Sequence, residues 1–379
     1  MCLNQVSDRW GPAFAGKTAI GRSTYDGRPR PRPRPRPSPE SAWQSNKPTK
    51  SAERAHRTTQ WAHLDTENQQ TPRSRSIGIA ALLALIVCWA FVPVLLRDLA
   101  DSLDAWTANG IRYPLSAILY WPVLWRASRR TDSTDQPVLN FSLLRACMIP
   151  ALCSTFGQFV WALAHYYLQA SQIGFLIRAT TIVAITGAMI LFPDERRLLR
   201  EPRFYVGAWL AIGGFIALSL FGGTAVGSAN TTGLGIMFLC SLFFGLYIVS
   251  VRKCIPDVNP ILAFAIVAQI CSVVLVIAML VKGDYSVIML LSPRDWTLLV
   301  ASSLLGIGFG HVLLYIAVVR LGASVTTTCQ SVMPFLTAAI ASVMLGEQLT
   351  PAQWLSGCVI VVGAIILLSV KQSLSRPLA

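Results

Sequence analysis

The sequence predicts an all-α integral membrane protein, with ten transmembrane helices arranged as two inverted five-helix repeats. Of its 379 residues, 53% are apolar and 13% are charged, whereas soluble domains carry about 25% charged residues. From Ile77 onward, apolar stretches of roughly 17–23 residues recur, each long enough to cross about 30 Å of hydrocarbon. The second half of the chain also echoes the first. The low charge excludes an ordinary soluble enzyme.

The first 76 residues are unlike the rest of the chain. They hold 14 of the Lys and Arg residues against 6 Asp and Glu, and they include an alternating Arg-Pro run at 28–37. Such a run favours an extended polyproline II chain, and little apolar surface offsets the entropy of ordering. We therefore expect 1–76 to be a disordered cytoplasmic tail. It lacks the apolar stretch of a signal peptide, and we expect a solvated leader rather than a segment held at anionic lipid or nucleic acid.

Ten apolar spans follow the tail, separated by short polar loops. They are predicted at 77–96, 106–125, 143–167, 172–192, 204–222, 232–251, 260–281, 296–318, 323–345 and 353–370. With the tail left out, the loops on the tail's side hold 12 Lys and Arg residues against 3 on the other side. Because basic loops stay in the cytoplasm, both termini are predicted to be cytoplasmic, in the plasma or inner membrane.

An internal repeat divides the membrane part in two. Ala170-Ser171 before span four matches Ala323-Ser324 before span nine, at an offset of 153 residues. The predicted units are 77–222 and 232–370, with five spans each. Since five is odd, the second unit enters the membrane upside down relative to the first. Inverted repeats of this kind are typical of secondary transporters, with a solute site at the interface of the repeats.

The second repeat also resembles a known family. Its motifs in chain order are Gly322-Ala323-Ser324, Met333-Pro334, Leu345-Gly346-Glu347-Gln348-Leu349-Thr350, Gly357 and Gly363. This run resembles an EamA domain of the drug/metabolite transporter superfamily. In the first copy, Thr180-Thr181 replaces Met-Pro and Pro193-Asp194-Glu195 replaces Gly-Glu. The resemblance implies a ten-helix transporter of small metabolites across about 77–370, and it names no solute.

Two arginines inside predicted spans are candidate solute ligands. Arg112 and Arg178 each lie about six residues into a span, or roughly 9 Å deep at 1.5 Å per residue. An ionisable side chain at mid-membrane costs at least about 2.5–3.5 kcal/mol. Both residues are predicted to reach one outward-facing cavity and to hold a carboxylate or phosphate. The alternatives are snorkelling to the interface and pairing with backbone carbonyls.

Two helix faces supply further candidates. Gln158, Trp161 and His165 share one face of span three, and His311 and Tyr315 share one face of span eight. Aromatic and amide groups suit a solute with apolar and polar parts, and either histidine could couple a proton to transport. The alternatives are a structurally bonded histidine and a tryptophan that packs against lipid.

The remaining patterns exclude other functions. No carboxylate falls at mid-span, which disfavours cation pumps and metal carriers, and the cysteines show no metal-ligand spacing. We find no P-loop and no clustered His/Asp or Ser/His set, so we predict no enzyme, no metal and no cofactor. The expected partners are a small-molecule solute and the lipid bilayer, without nucleic acid, and a homodimer is left open. The alternative function is a membrane scaffold or receptor that recruits a partner through its basic tail.

Overall fold

The structure is a computed structural model that describes residues 72–131, 138–221, 229–255 and 258–375. Within these ranges the chain is helical, with connecting turns and no strands. The predicted disorder of the tail falls on residues 1–71, which lie outside the described part. The first helix begins at Pro72, five residues before the predicted span, so Arg73 and Arg75 belong to that helix rather than to the tail.

The first half of the described chain contains seven α-helices. These are α1 (Pro72–Leu99), α2 (Ala105–Ala117), α3 (Trp121–Ser128), α4 (Phe141–Ala164), α5 (Ala170–Leu176), α6 (Ala179–Leu191) and α7 (Pro202–Leu220). A 3₁₀ turn at Ile118–Tyr120 joins α2 to α3. A second 3₁₀ stretch, Pro193–Arg200, follows α6.

The second half repeats this order. Its helices are α8 (Ala229–Cys254), α9 (Pro260–Lys282), α10 (Pro293–Ser303), α11 (Gly310–Leu321), α12 (Ala323–Cys329), α13 (Met333–Leu345) and α14 (Pro351–Ser375). A π-helix at Leu304–Phe309 joins α10 to α11. A 3₁₀ turn at Gln330–Val332 joins α12 to α13.

Eight helical segments in the described residues are long and apolar enough to cross a membrane. They correspond to predicted spans one, three, four and six to ten. The two other predicted spans fall on the interrupted segment α2–α3 and on α7, whose apolar part, Pro202–Leu218, is shorter. A helical, multi-pass membrane protein is therefore supported, and the count of ten spans stays a prediction.

Besides the segment α2–α3, three predicted spans are interrupted rather than continuous. Span 172–192 breaks between α5 and α6, span 323–345 breaks at Gln330–Val332, and span 296–318 contains the π-helix. Hydropathy averaged over a window does not register a local change of hydrogen-bond pattern, so the sequence reading missed all three breaks. Such irregular backbone at membrane depth is tolerated where it is buried in protein or lines a cavity.

Four of the helix pairs that join the two halves form a set that stays the same when the halves are exchanged. Helix α4 packs along α8, and the segment α10–α11 packs along α1 in the same way. The pairs α2–α9 and α7–α14 each join equivalent helices of the two halves. In the α7–α14 pair the backbones touch, since a Cβ on Gly363 would lie 2.5 Å from the backbone nitrogen of Ala211. Small residues allow this close approach between membrane helices.

Side-chain caps fix where several helices begin. The Asp104 carboxylate accepts the backbone N–H groups of Trp106 and Thr107 at the start of α2. Ser292 and Asp295 form a capping box at the start of α10. These contacts satisfy N–H groups that have no partner within the helix.

Candidate solute-binding site

Arg178 lies at the break between α5 and α6. The N–H of Arg178 donates to the carbonyl of Phe175, and the N–H of Thr181 donates to the carbonyl of Arg178. These bonds span three residues rather than four, so the helix tightens into a 3₁₀-like turn at this point. The turn places the Arg178 side chain next to the start of α13.

The Arg178 guanidinium has almost no polar partner. Nη2 lies 3.8 Å from the Met333 thioether sulfur, which is a weak acceptor. Nε is buried and has no hydrogen-bond partner among the described residues, and the same holds for the Thr180 hydroxyl. No described carboxylate lies within ion-pair distance of Arg178. Arg178 as a whole is half-buried, and a cation with a buried, unpaired donor is the arrangement that an anionic ligand would complete.

The second half has its own break at the position equivalent to Arg178. At the offset of 153 residues, Ser331 takes the place of Arg178, inside the 3₁₀ turn before Met333. The amide nitrogen of the neighbouring Gln330 is buried without a partner. The Arg178–Met333 contact joins the two interrupted helices, and of the two equivalent positions only the first carries a charge.

Glu347 anchors the other end of α5. One carboxylate oxygen accepts the N–H of Ala170 at 2.8 Å, and the other accepts the N–H and hydroxyl of Ser171 at 3.0 and 2.7 Å. Gly346 precedes it with a φ of 66°, in the left-handed region, where glycine avoids the Cβ penalty. The Gly-Glu pair of the second repeat thereby fastens the interrupted helix of the first.

Arg112 lies in the interface between α2 and α10. It is 1% exposed. Nε donates to the Ser302 hydroxyl at 3.0 Å, Nη2 to the Ser302 carbonyl at 3.2 Å, and Nη1 to the Asn109 amide oxygen at 3.3 Å. Ser303 adds a bond from its hydroxyl to the Arg112 carbonyl at 2.6 Å. All three guanidinium nitrogens are therefore occupied by neutral oxygens that join two helices.

Gln158 is linked to this interface through its backbone. The Asn109 amide donates to the Gln158 carbonyl at 3.0 Å, so a chain of polar contacts runs from α10 through α2 to α4. The Gln158 side chain is partly buried. Among the contacts that the structure records in its described ranges, none joins Arg178 to Arg112 or to Gln158.

Trp161 and His165 pack together at the C-terminal end of α4. Their rings meet edge to face at 5.1 Å. His165 is fully buried, with Nδ1 2.8 Å from the Trp161 carbonyl and Nε2 without a partner among the described residues. Trp161 also lies 6.5 Å from the Phe244 ring of α8. This face of α4 is thus turned toward protein rather than lipid.

His311 and Tyr315 belong to an aromatic cluster on α11. The His311 ring stacks on Phe264 of α9 at 3.8 Å and meets the edge of Trp89 of α1 at 5.5 Å. Tyr315 lies 6.3 Å from Phe264. His311 Nδ1 is buried without a partner among the described residues.

Three carbonyl groups of the π-helix before His311 accept hydrogen bonds from side chains outside that helix. The Tyr120 hydroxyl lies 2.8 Å from the Ile307 carbonyl and 2.7 Å from the Gly308 carbonyl. The Trp89 indole donates to the Gly306 carbonyl at 3.1 Å. Single π-helical turns within α-helices are frequent at functional sites. The sequence reading missed Trp89 and Tyr120, since neither shares the predicted span of its partner.

The fold and these contacts define a multi-pass helical membrane protein with two half-helix breaks in contact. The model of the EamA-like transporter family matches residues 76–220 and 231–369, which is well over half of the chain. The chain belongs to this family, and the resemblance read from the sequence motifs is confirmed. The members of this family are described as transporters.

Two individual proteins are similar to this chain, and neither match names a solute. An uncharacterized transporter of Haemophilus influenzae is 28% identical over 202 residues, or 50% of this chain. The chain spans 62% of that relative's length. A solved crystal structure of a protein is similar with a TM-score of 0.50 and 16% identity, covering 80% of this chain and 100% of the other. At that identity the likeness shows the fold alone.

Proposed function

We propose that this protein is a secondary transporter that moves a small anionic or zwitterionic metabolite by alternating access, with Arg178 as the cationic ligand. The observation that carries the proposal is the state of Arg178. Its guanidinium belongs to a predicted span and lies between two interrupted helices, with a thioether as its only recorded polar neighbour in the described chain.

The energetics favour a ligand at this position. A cation inside the membrane is costly, and it is usually paired or turned toward a water-filled cavity. A carboxylate or phosphate would pair the charge and occupy the free Nε, through the bidentate geometry that arginine prefers. Thr180 and Gln330 would add neutral polar groups from the two breaks.

The helix pairing supports the transport cycle. Two units, 77–222 and 232–370, would form inverted repeats of five spans, with both termini in the cytoplasm of a plasma or inner membrane. Rocking of one repeat against the other would expose the central site to each side in turn. The partners would be the solute and the bilayer, and no covalent step is required.

The aromatic cluster of α11 is a second candidate surface for the solute, and no contact recorded in the described chain joins it to Arg178. His311, Tyr315 and Phe264 offer an apolar surface with two polar tips, which suits a solute that also has an apolar or ring-shaped part. Arg112, with every guanidinium nitrogen occupied, would act as a positioning residue that joins α2 to α10. His165 and Trp161 would support α4 against α8.

Uptake into proteoliposomes tests the proposal. The panel holds amino acids, organic acids, nucleobases and sugars, and the proteins are the full chain, Arg178→Met and Arg178→Lys. We expect saturable flux of an anionic or zwitterionic solute, which Arg178→Met abolishes and Arg178→Lys retains in part, because lysine keeps the charge but not the bidentate fork.

Two outcomes would contradict the proposal. Flux that Arg178→Met retains would move the solute site elsewhere. Absence of flux for every solute, in protein shown to be folded, would favour the scaffold or receptor function. In that case deleting residues 1–71 should abolish partner recruitment, whereas a transporter should keep its flux after the deletion.

A further inference from the structure

A cavity of about 860 Å³ opens where four helix ends meet. It lies between the end of α3, the start of α4, the end of α8 and the start of α9. In the predicted topology these ends lie on the cytoplasmic side. The cavity contains none of the candidate solute ligands among its described lining residues, so it is a separate feature from the Arg178 site.

The cavity has an apolar floor and a basic rim. Its floor includes Val123, Leu143 and Leu262, and its rim includes Arg126 and Arg130. The described residues that line it contain no carboxylate. The lining therefore matches a molecule with an apolar part and a negatively charged head.

The two rim arginines are available for a ligand. Both are exposed, and neither has a side-chain partner recorded in the described part of the chain. Arg126 lies in the last turn of α3 and Arg130 lies two residues beyond the end of that helix, so both side chains belong to the same helix end. Arg129, their neighbour, is different: its guanidinium lies 4.1 Å from the centre of the Trp125 ring, and it does not line the cavity.

Two helix N-termini add positive potential to the same space. Asn140 caps α4 by accepting the N–H of Leu143, and Asn259 caps α9 by accepting the N–H groups of Ile261 and Leu262. Both asparagines line the cavity. The helices behind them are 24 and 23 residues long, and a helix N-terminus favours negative charge within its first turn.

We propose that this cavity binds an anionic phospholipid, with the headgroup phosphate between Arg126 and Arg130 and an acyl chain on the apolar floor. A free phosphate has the same head chemistry but would leave the apolar floor uncovered. Basic pockets between helix ends on the cytoplasmic side are suited to lipid headgroups. The proposal is independent of the solute and of the Arg178 site.

Native mass spectrometry of the detergent-purified full chain tests the site with dioleoylphosphatidylglycerol, and dioleoylphosphatidylcholine serves as the zwitterionic control. At about 1 kcal/mol for each basic residue near the lipid, one charge corresponds to about fivefold in affinity. We expect Arg126→Gln/Arg130→Gln to weaken phosphatidylglycerol binding about 30-fold. Arg129→Gln removes a charge next to the cavity and should change binding by less than about twofold.

Two further arms identify the ligand and the pocket. Ala146→Phe fills the floor while keeping both arginines, and it should also weaken lipid binding. Inorganic phosphate at millimolar concentration should not displace the lipid. Elution volume on size exclusion confirms that each variant is folded.

Four results of the lipid-binding measurements would overturn the proposal. These are unchanged lipid binding in the double variant, an equal loss in Arg129→Gln, unchanged binding in Ala146→Phe, and no preference for phosphatidylglycerol over phosphatidylcholine. Displacement by inorganic phosphate alone would overturn the lipid as the ligand, and would assign the basic rim to a free anion.

Discussion

Arg112 and Arg178 carry the same charge at similar predicted depth, but their surroundings differ. Arg112 is 1% exposed and gives all three guanidinium nitrogens to neutral oxygens of α2 and α10. Arg178 has a thioether at 3.8 Å and a buried Nε without a partner in the described chain. A charge inside the helix bundle is therefore not by itself a sign of a ligand site. An arginine whose N–H groups already bond to protein links two helices, whereas an arginine with an unpaired N–H group is a candidate ligand.

Replacing Arg178 should give the largest effect. We expect Arg178→Met to lower solute flux by at least about 30-fold, because truncating one member of a buried charge pair costs about 2–5 kcal/mol. The free energy of unfolding should stay the same or rise, since the variant removes a charge that the protein itself does not pair. Proteoliposome uptake and thermal unfolding of the same preparation measure both quantities. A large loss of stability would show that Arg178 is structural.

Replacing Arg112 should have the opposite profile. Three interhelical or intrahelical bonds at about 0.6 kcal/mol each predict that Arg112→Met lowers the free energy of unfolding by about 2 kcal/mol. Chemical unfolding in detergent measures this loss. If folded Arg112→Met protein keeps its stability but shows a raised KM for the solute, Arg112 would be a solute ligand, and the contrast between the arginines would fail.

Glu347 tests whether the Arg178 site depends on the anchoring of α5. Glu347→Ala removes three hydrogen bonds at the start of that helix and should lower the free energy of unfolding by about 1.5 kcal/mol. Flux should fall as well, because Arg178 follows at the end of the same short helix. The neighbouring Gln348 is exposed, so Gln348→Ala is the matched control. Equal behaviour of the two variants would contradict an anchoring role.

Gly346→Ala should have the smallest effect. An alanine at a φ of 66° is disfavoured by about 1 kcal/mol, and the chain would turn less readily toward α5. We expect a small loss of stability together with a partial loss of flux. Val343→Ala on the exposed face of α13 is the control for a general effect on this helix, and it should leave flux unchanged.

The fold was largely accessible from the sequence, and the site less so. The apolar spans and the motif around Glu347 identified the family, because hydropathy and motif spacing are local properties of the chain. The helix breaks were missed, since a shift of hydrogen-bond pattern inside an apolar run leaves no trace in composition. A signal for the Arg112 interface existed in the adjacent Ser302 and Ser303, which are polar residues inside a predicted span. Trp89 and Phe264 gave no such signal, because aromatic residues are common in spans.

From the sequence alone we infer that the chain enters a membrane, that it consists of two related units, and that arginines lie within the spans. These properties follow from the order of apolar and charged residues along the chain, so they can be inferred without the tertiary structure. Whether each arginine has hydrogen-bond partners depends on the tertiary structure. Ser302, which accepts bonds from two of the three Arg112 nitrogens, lies 190 residues away in the chain, and Arg178 meets Met333 across the repeat boundary. The hydrogen-bond partners of a buried side chain depend on which helices pack against it. When those helices are distant in the sequence, local sequence patterns do not predict the contact.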